Sequence, residues 1–156
     1  MRLKVVDFKP EHVRMFDLDK FGRMLFVSVG EVTMERVFAE YAKPEQPAFT
    51  VFLDNTPLVC AGVWIWDLGH SPRTGEAWAI VNHDKGSQEP FVLTKAVRRG
   101  LDATQEEHDL ARIHAVIAKG NDKACRWAEL LGFERETLMR KWLCGRDYFL
   151  YARVKK

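Results

Sequence analysis

Asn121-Asp-Lys-Ala124-Cys-Arg-Trp127-Ala-Glu-Leu-Leu-Gly132-Phe133 is the stretch on which the fold turns. Lys119-Gly120-Asn121-Asp122 leads into a helix whose apolar side runs through Ala124, Trp127, Ala128 and Leu131. Gly132 suits the left-handed residue that ends a helix, and Phe133 is the apolar residue that packs back on the last turn. A helix of this kind, closed by Gly-Phe, leads straight into the next element.

The flanking segments alternate in character. Ahead of the helix, Ile113 to Ala118 is a run of the buried-strand type. Before that, Phe91, Leu93, Val97 and Leu101 are close to helical spacing and predict a long helix from about Pro90 to Gln105. After Phe133, Thr137 to Leu143 and Tyr148 to Val154 predict a hairpin around the turn Cys144-Gly145-Arg146-Asp147. Further upstream, Glu76 to Val81 is apolar on both faces, as a central strand is. Gly69 to Gly75 reads as the loop before it, and Asn82 to Glu89 as a polar loop after it.

The first half follows the same grammar. Leu3 to Val6 is a short strand. Pro10 opens a helix with Asp7 as candidate cap and Val13, Met15 and Phe16 on its apolar side. Met34, Val37, Phe38 and Tyr41 form one face of a second helix, about Glu31 to Ala42, which Lys43-Pro44 stops. Ala48 to Leu53 and Leu58 to Trp66 form an antiparallel hairpin around Asp54-Asn55-Thr56-Pro57. Gly62, inside the second of these strands, signals a bulge or a close backbone approach. The order β, α, α, β, β, β, α, β, α, β, β predicts an α/β (α+β) fold. Its mixed, mostly antiparallel sheet of about seven strands is flanked by about four helices.

Composition bounds the function. The 156 residues, with no internal repeat and no Gly/Ser/Pro-rich linker, read as one domain spanning residues 1–156. Ten Phe, five Trp and three Tyr exclude a disordered chain, because they bury enough apolar area to offset the entropy of ordering. A net charge of +2 points neither to nucleic acid nor to a membrane surface. The longest apolar run, Leu58 to Trp66, is far short of the ~20 residues that span a bilayer. The N-terminus shows no apolar signal-peptide core. Cys60, Cys125 and Cys144 form no CxxC pair and leave one over, as reduced thiols do in a cytoplasmic setting. His12, His70, His83, His108 and His114 make no HxH, HExxH or Cys/His zinc spacing, so no metal is expected. His83 lies in the polar loop, while His114 sits in a predicted core strand, where a satisfied buried histidine is the expectation. Trp64, Trp66 and Trp78 fall on predicted strands and read as core.

This order of elements resembles the GNAT N-acyltransferase superfamily, whose members move an acyl group from acyl-CoA to an amine. Asn121-x-x-Ala124 followed by Gly132-Phe133 resembles the family's late helix. Phe49 to Gly62 resembles its second and third strands, and Gly145 to Arg153 its closing strand. The resemblance covers nearly the whole chain. It implies a cofactor site where two parallel central strands splay, here Glu76 to Val81 and Ile113 to Ala118. Acetyl-CoA is the implied cofactor, lying between Ala79, Ile80, Val81 and Asn121. Backbone amides at a helix N-terminus would receive its diphosphate, since unpaired N–H groups and the helix dipole favour an anion there. That role falls to Lys85, Gly86, Ser87 and Gln88. Glu76, on the strand before the loop, is the implied general base or water-orienting residue, suited to deprotonating an ammonium. The acceptor is an amine of unknown identity.

The sequence departs from the family pattern at two places. The diphosphate loop of the family reads roughly R/Q-x-x-G-x-G/A; with Lys85 in the basic position, Gln88 and Pro90 stand where the glycines belong. Pro90 removes an amide donor, and Glu89 sets a carboxylate at the helix start, where it caps its own helix and opposes an anion. The tyrosine that protonates the leaving thiolate in many members is replaced by Ala128, leaving Tyr148 or Tyr151 as substitutes. Similar departures occur in phage virion proteins built on this fold. The alternative is therefore a catalytically silent, virion-associated or protein-binding module whose partner is a protein.

Overall fold

The computed structural model describes residues 2–16, 31–66, 69, 71–83 and 89–156; for residues 31–35 the backbone alone is considered. Among them lie seven strands and four helices: β1 (Leu3–Asp7), α1 (Pro10–Val13), α2 (Glu31–Tyr41), β2 (Ala48–Leu53), β3 (Thr56–Trp66), β4 (Arg73–Val81), α3 (Pro90–Glu107), β5 (Leu110–Ala118), α4 (Asp122–Leu130), β6 (Glu134–Leu143) and β7 (Arg146–Val154). All seven strands join one sheet in the order β1-β2-β3-β4-β5-β7-β6. Every neighbouring pair is antiparallel except β4 and β5, which are parallel and are linked by the α3 crossover. β4 is the middle strand, as its apolar faces predict.

The two faces of the sheet carry different cores. On one face, Leu93, Val97 and Leu101 of α3 and Ala128 of α4 pack on Val59, Val63, Ile113 and Tyr151. On the other, Phe8, Val13, Phe38 and Cys60 form a smaller core, with Tyr41, Trp78 and Ile80 half-buried around it. Strand alternation explains the division: Ala77 and Val81 of β4 pack in the first core, Trp78 and Ile80 in the second. Val37, Phe38 and Tyr41 belong to the predicted face of α2; the side chain of Met34 lies outside the described residues.

α4 forms as its sequence dictates. Asn121 is the N-cap, and its side-chain oxygen accepts the backbone N–H of Ala124 at 3.3 Å. Gly132, with φ of +94°, closes the helix. The N–H of Gly132 bonds the carbonyl of Glu129, and that of Phe133 the carbonyl of Ala128, the paired bonds of a Schellman cap. Phe133 is buried, as expected of the residue that packs back.

Several boundaries move. β4 begins at Arg73, not Glu76, because Thr74 and Gly75 pair with Trp66 and Ile65 of β3 and with Arg112 and Ile113 of β5. Gly75 falls in the predicted loop, yet a Cβ added there would collide with Val63 Cγ1; the strand needs its absence. β5, β6 and β7 likewise start at Leu110, Glu134 and Arg146, two or three residues ahead of the apolar runs that marked them. Asp7 ends β1 and does not cap α1; Lys9 holds the cap position. Of the two expectations for Gly62, close approach is the one realised: an added Cβ would sit 2.7 Å from the Pro47 carbonyl oxygen. The register shift in the β2–β3 hairpin lies elsewhere, between Val51 and Phe52, opposite Pro57, which has no N–H to give.

Candidate functional site

β4 and β5 run side by side only from Arg73↔Leu110 to Glu76↔His114. Beyond that point β4 stays paired with β3 as far as Val81, and β5 stays paired with β7 as far as Ala118. The two strands have parted. The edges of Ala77–Val81 and Ala115–Ala118 that face each other have no strand partner among the described residues. A strand edge of this kind presents unpaired N–H and C=O groups.

A cavity of about 530 Å³ fills the gap and reaches both faces of the sheet. On the α3/α4 side it is walled by Val97, Leu101, Asn121, Ala124 and Trp127, and on the α2 side by Tyr41, Glu76, Trp78 and Ile80. The tip of the β6–β7 hairpin, with Trp142 and Arg146, and Tyr148 of β7 flank it. The parting of the strands is what lets one cavity run through the sheet.

Five residues singled out from the sequence, Glu76, Ala79, Ile80, Val81 and Asn121, line this one cavity. Asn121 does so while its side chain caps α4. Lys85, Gly86, Ser87 and Gln88 lie outside the described residues. Glu89 stands at the N-cap of α3 but makes no capping bond through its side chain, which corrects the expectation that it caps its own helix. Pro90 occupies the first turn as expected. The first turn of α3 is instead tied across the cleft: the Trp127 indole N–H donates to Thr94 Oγ1 at 3.0 Å, and Thr94 Oγ1 donates to the Pro90 carbonyl at 2.6 Å.

Glu76 does not stand alone. Its Oε2 lies 4.0 Å from His114 Nε2 on β5, and Trp64 is its register partner on β3. Burial pushes the His114 imidazole below its ordinary pKa, against the pull of the Glu76 carboxylate. His114 is half-buried beside a carboxylate, not enclosed as a core strand suggested. Tyr41 of α2 stacks on Trp78, with ring centroids 4.8 Å apart and planes 15° apart, and meets Trp64 at 5.7 Å. Burial first, and Glu76 second, raise the Tyr41 phenol. Trp66, by contrast, is exposed at the end of β3, so it is not core.

Ala128, at the position of the family's tyrosine, is buried and offers no proton. Tyr151 cannot replace it: it is wholly buried in the α3/α4 core, and its hydroxyl accepts the Arg135 guanidinium at 2.9–3.0 Å. Tyr148 does line the cavity, and burial raises its phenol. Sequence reading missed the convergence of Tyr41, Trp78 and Tyr148. Alternation alone places Glu76 and Trp78 on one face, but nothing local brings Tyr41 from α2 over them.

Among the described residues no group of three His, Cys, Asp or Glu side chains could hold a metal ion, and no helix is long and apolar enough to cross a membrane.

No family model matches the sequence, and no curated protein matches it. Solved structures do. A GNAT-family acetyltransferase from Bacillus anthracis superposes with a TM-score of 0.69 at 20% identity, over 99% of this chain and 95% of that one. The ribosomal-protein-S5-alanine acetyltransferase from Vibrio fischeri gives 0.67 at 17% identity, over 97% and 92%. A mutant of the spermidine N-acetyltransferase from Vibrio cholerae gives 0.66 at 16%, over 97% and 93%. The chain has the GNAT acetyltransferase fold.

Proposed function

We infer that the protein is an acetyl-CoA-dependent N-acetyltransferase that acts on an amine. The observation that carries this is the parting of β4 and β5 after Glu76 and His114, with a through-sheet cavity in the gap. A ligand with an extended, amide-bearing arm fits that gap chemically. Its amides can meet the unpaired backbone of Ala77–Val81, while Ala79, Val81, Ala124 and Trp127 supply apolar contact. On this reading Asn121 keeps α4 in place beside the arm, and Lys85 to Gln88 meet the diphosphate.

Acetyl-CoA supplies an acyl thioester: the amine nitrogen forms a C–N bond to the acyl carbon as the C–S bond breaks, the amine gives up a proton, and the thiolate takes one. Glu76, 40% exposed and open to the cavity, accepts the proton of the incoming ammonium directly or through a water. Tyr148, a phenol on the cavity wall, is the candidate donor to the thiolate in place of Ala128.

Titration calorimetry with acetyl-CoA and, separately, free CoA tests this. Micromolar binding followed by acetyl transfer to members of an amine panel is the expected result. No heat and no thermal stabilisation at excess ligand would overturn it. That outcome would favour the second reading, a phage-type protein-binding module, for which the buried Ala128 and the non-glycine loop speak.

A further inference from the structure

We propose that His114 is a positioning residue that sets the basicity of Glu76. A neutral ring leaves the carboxylate free to take the acceptor's proton; a charged ring holds it as an ion pair and weakens it as a base. The proposal rests on the acetyltransferase reading and deepens it. The two residues are register partners on the parallel strands β4 and β5, with His114 Nε2 4.0 Å from Glu76 Oε2. That distance is within ion-pair range and too long for a direct hydrogen bond. Glu76 lines the cavity and His114 does not, so a ligand there meets the carboxylate and not the imidazole. During transfer an N–H bond of the ammonium breaks, an O–H bond forms on Glu76 and water carries the proton away; His114 neither gives nor takes it.

The groups around the ring fix the sign of the effect. Arg112, two residues before His114, shares its face of β5. The Arg112 guanidinium donates twice to Glu136 of β6, at 2.9 and 2.5 Å, so those two charges largely offset each other. On β7 the register partner of His114 is Ala152, which carries no charge. From α2 the Tyr41 phenol faces Glu76, and burial and the carboxylate both hold it neutral. Burial opposes a charge on the His114 ring, and Glu76 is the first of its neighbours to favour one. The ring is therefore neutral at neutral pH and becomes an imidazolium in acid. A cation 4.0 Å from a carboxylate favours its ionised form, and the carboxylate then accepts a proton less readily.

Two measurements test this, and the first needs no turnover. The His114 ring is titrated by NMR in the full chain, its signals assigned by their loss in His114→Gln. Glu76→Gln removes the charge that favours the imidazolium, so it is expected to move the His114 midpoint to lower pH. An unchanged midpoint overturns the proposal and leaves the acetyltransferase reading intact. The second is the pH dependence of kcat/KM between pH 5 and 8, at saturating acetyl-CoA, with the best acceptor of the amine panel. The wild type is expected to lose activity in acid with the midpoint that NMR gives for His114. In His114→Gln that acid limb moves to lower pH, while acetyl-CoA affinity in calorimetry stays the same; a merely structural role for His114 would not move it. An acid limb that stays in place in His114→Gln overturns the proposal. Should that variant fail to fold, the NMR titration of Glu76→Gln decides. Absence of acetyl-CoA binding in calorimetry overturns the acetyltransferase reading itself, an outcome separate from both others.

Discussion

Glu76 of β4 and His114 of β5 are the last residues at which the two parallel strands stand side by side, with Oε2 4.0 Å from Nε2. The pair therefore sits at the apex of the opening through the sheet. A carboxylate there reaches anything that enters the gap from the α2 side. Glu76→Gln keeps the shape and removes the base. It is expected to lower kcat by about 10²–10⁴-fold while acetyl-CoA affinity in calorimetry stays unchanged. A normal kcat in this variant would remove Glu76 from the chemistry.

His114 and His12 both titrate below the ordinary histidine value of 6.5, burial being the main cause in each. The unfolded chain then binds protons at a higher pH than the folded one. Stability therefore rises with pH across this window and falls as pH drops from about 6.5 toward the lowered folded values. Urea midpoints between pH 7 and 5 should show the decline, above the range where carboxylates begin to titrate. His114→Gln should flatten part of it and His12→Gln another part; an unchanged slope in both variants would contradict the assignment.

Gly62 is held 2.7 Å, at the position of an added Cβ, from the Pro47 carbonyl oxygen, and that oxygen accepts the Val63 N–H at 2.9 Å. Backbone cannot yield as a flexible side chain can. Gly62→Ala should cost about 1–3 kcal/mol, read as a lower urea midpoint with an unchanged m-value. Wild-type stability in this variant would mean that the β2–β3 junction relaxes freely.

Asn121 caps α4 through Ala124 N–H. Asn121→Ala should lose about 0.5–2 kcal/mol, and Asn121→Asp, which keeps the accepting oxygen, should lose little. Equal losses in the two would point to a different role for the side chain.

Cys60 and Cys125 are buried and Cys144 is exposed in the β6–β7 turn. Burial pushes the Cys60 thiol up to about 12. Native protein treated with iodoacetamide at pH 8 should gain one adduct, at Cys144, by peptide mass mapping, and three in urea. Rapid labelling of Cys60 in native protein would show that the β2–β3 face opens.

Local chemistry explains what was legible beforehand. The start of α4 after Lys119-Gly120-Asn121-Asp122, the Gly132-Phe133 closure and the α2 face of Val37, Phe38 and Tyr41 are short-range patterns, each complete within one or two turns. The starts of β4 to β7 were not legible, because Thr74 and Gly75 owe their extended backbone to strands on both sides, not to their own propensity. Glu89 reads as a cap by position and does stand at the N-cap of α3, but its side chain makes no capping bond.

The amino-acid sequence by itself determined the order of elements, the central place of β4, the end of α4, and the residue types at the candidate site. Periodicity and capping act over a few residues, so they survive in the chain as text. Where β4 and β5 part, which rings line the cavity with Glu76, and that His114 lies beside it were decided by the tertiary structure. Those relations depend on strand register and on α2 crossing the sheet, and they join residues from three or more separate segments. No local propensity encodes such distances; packing of the two cores on either face of the sheet sets them.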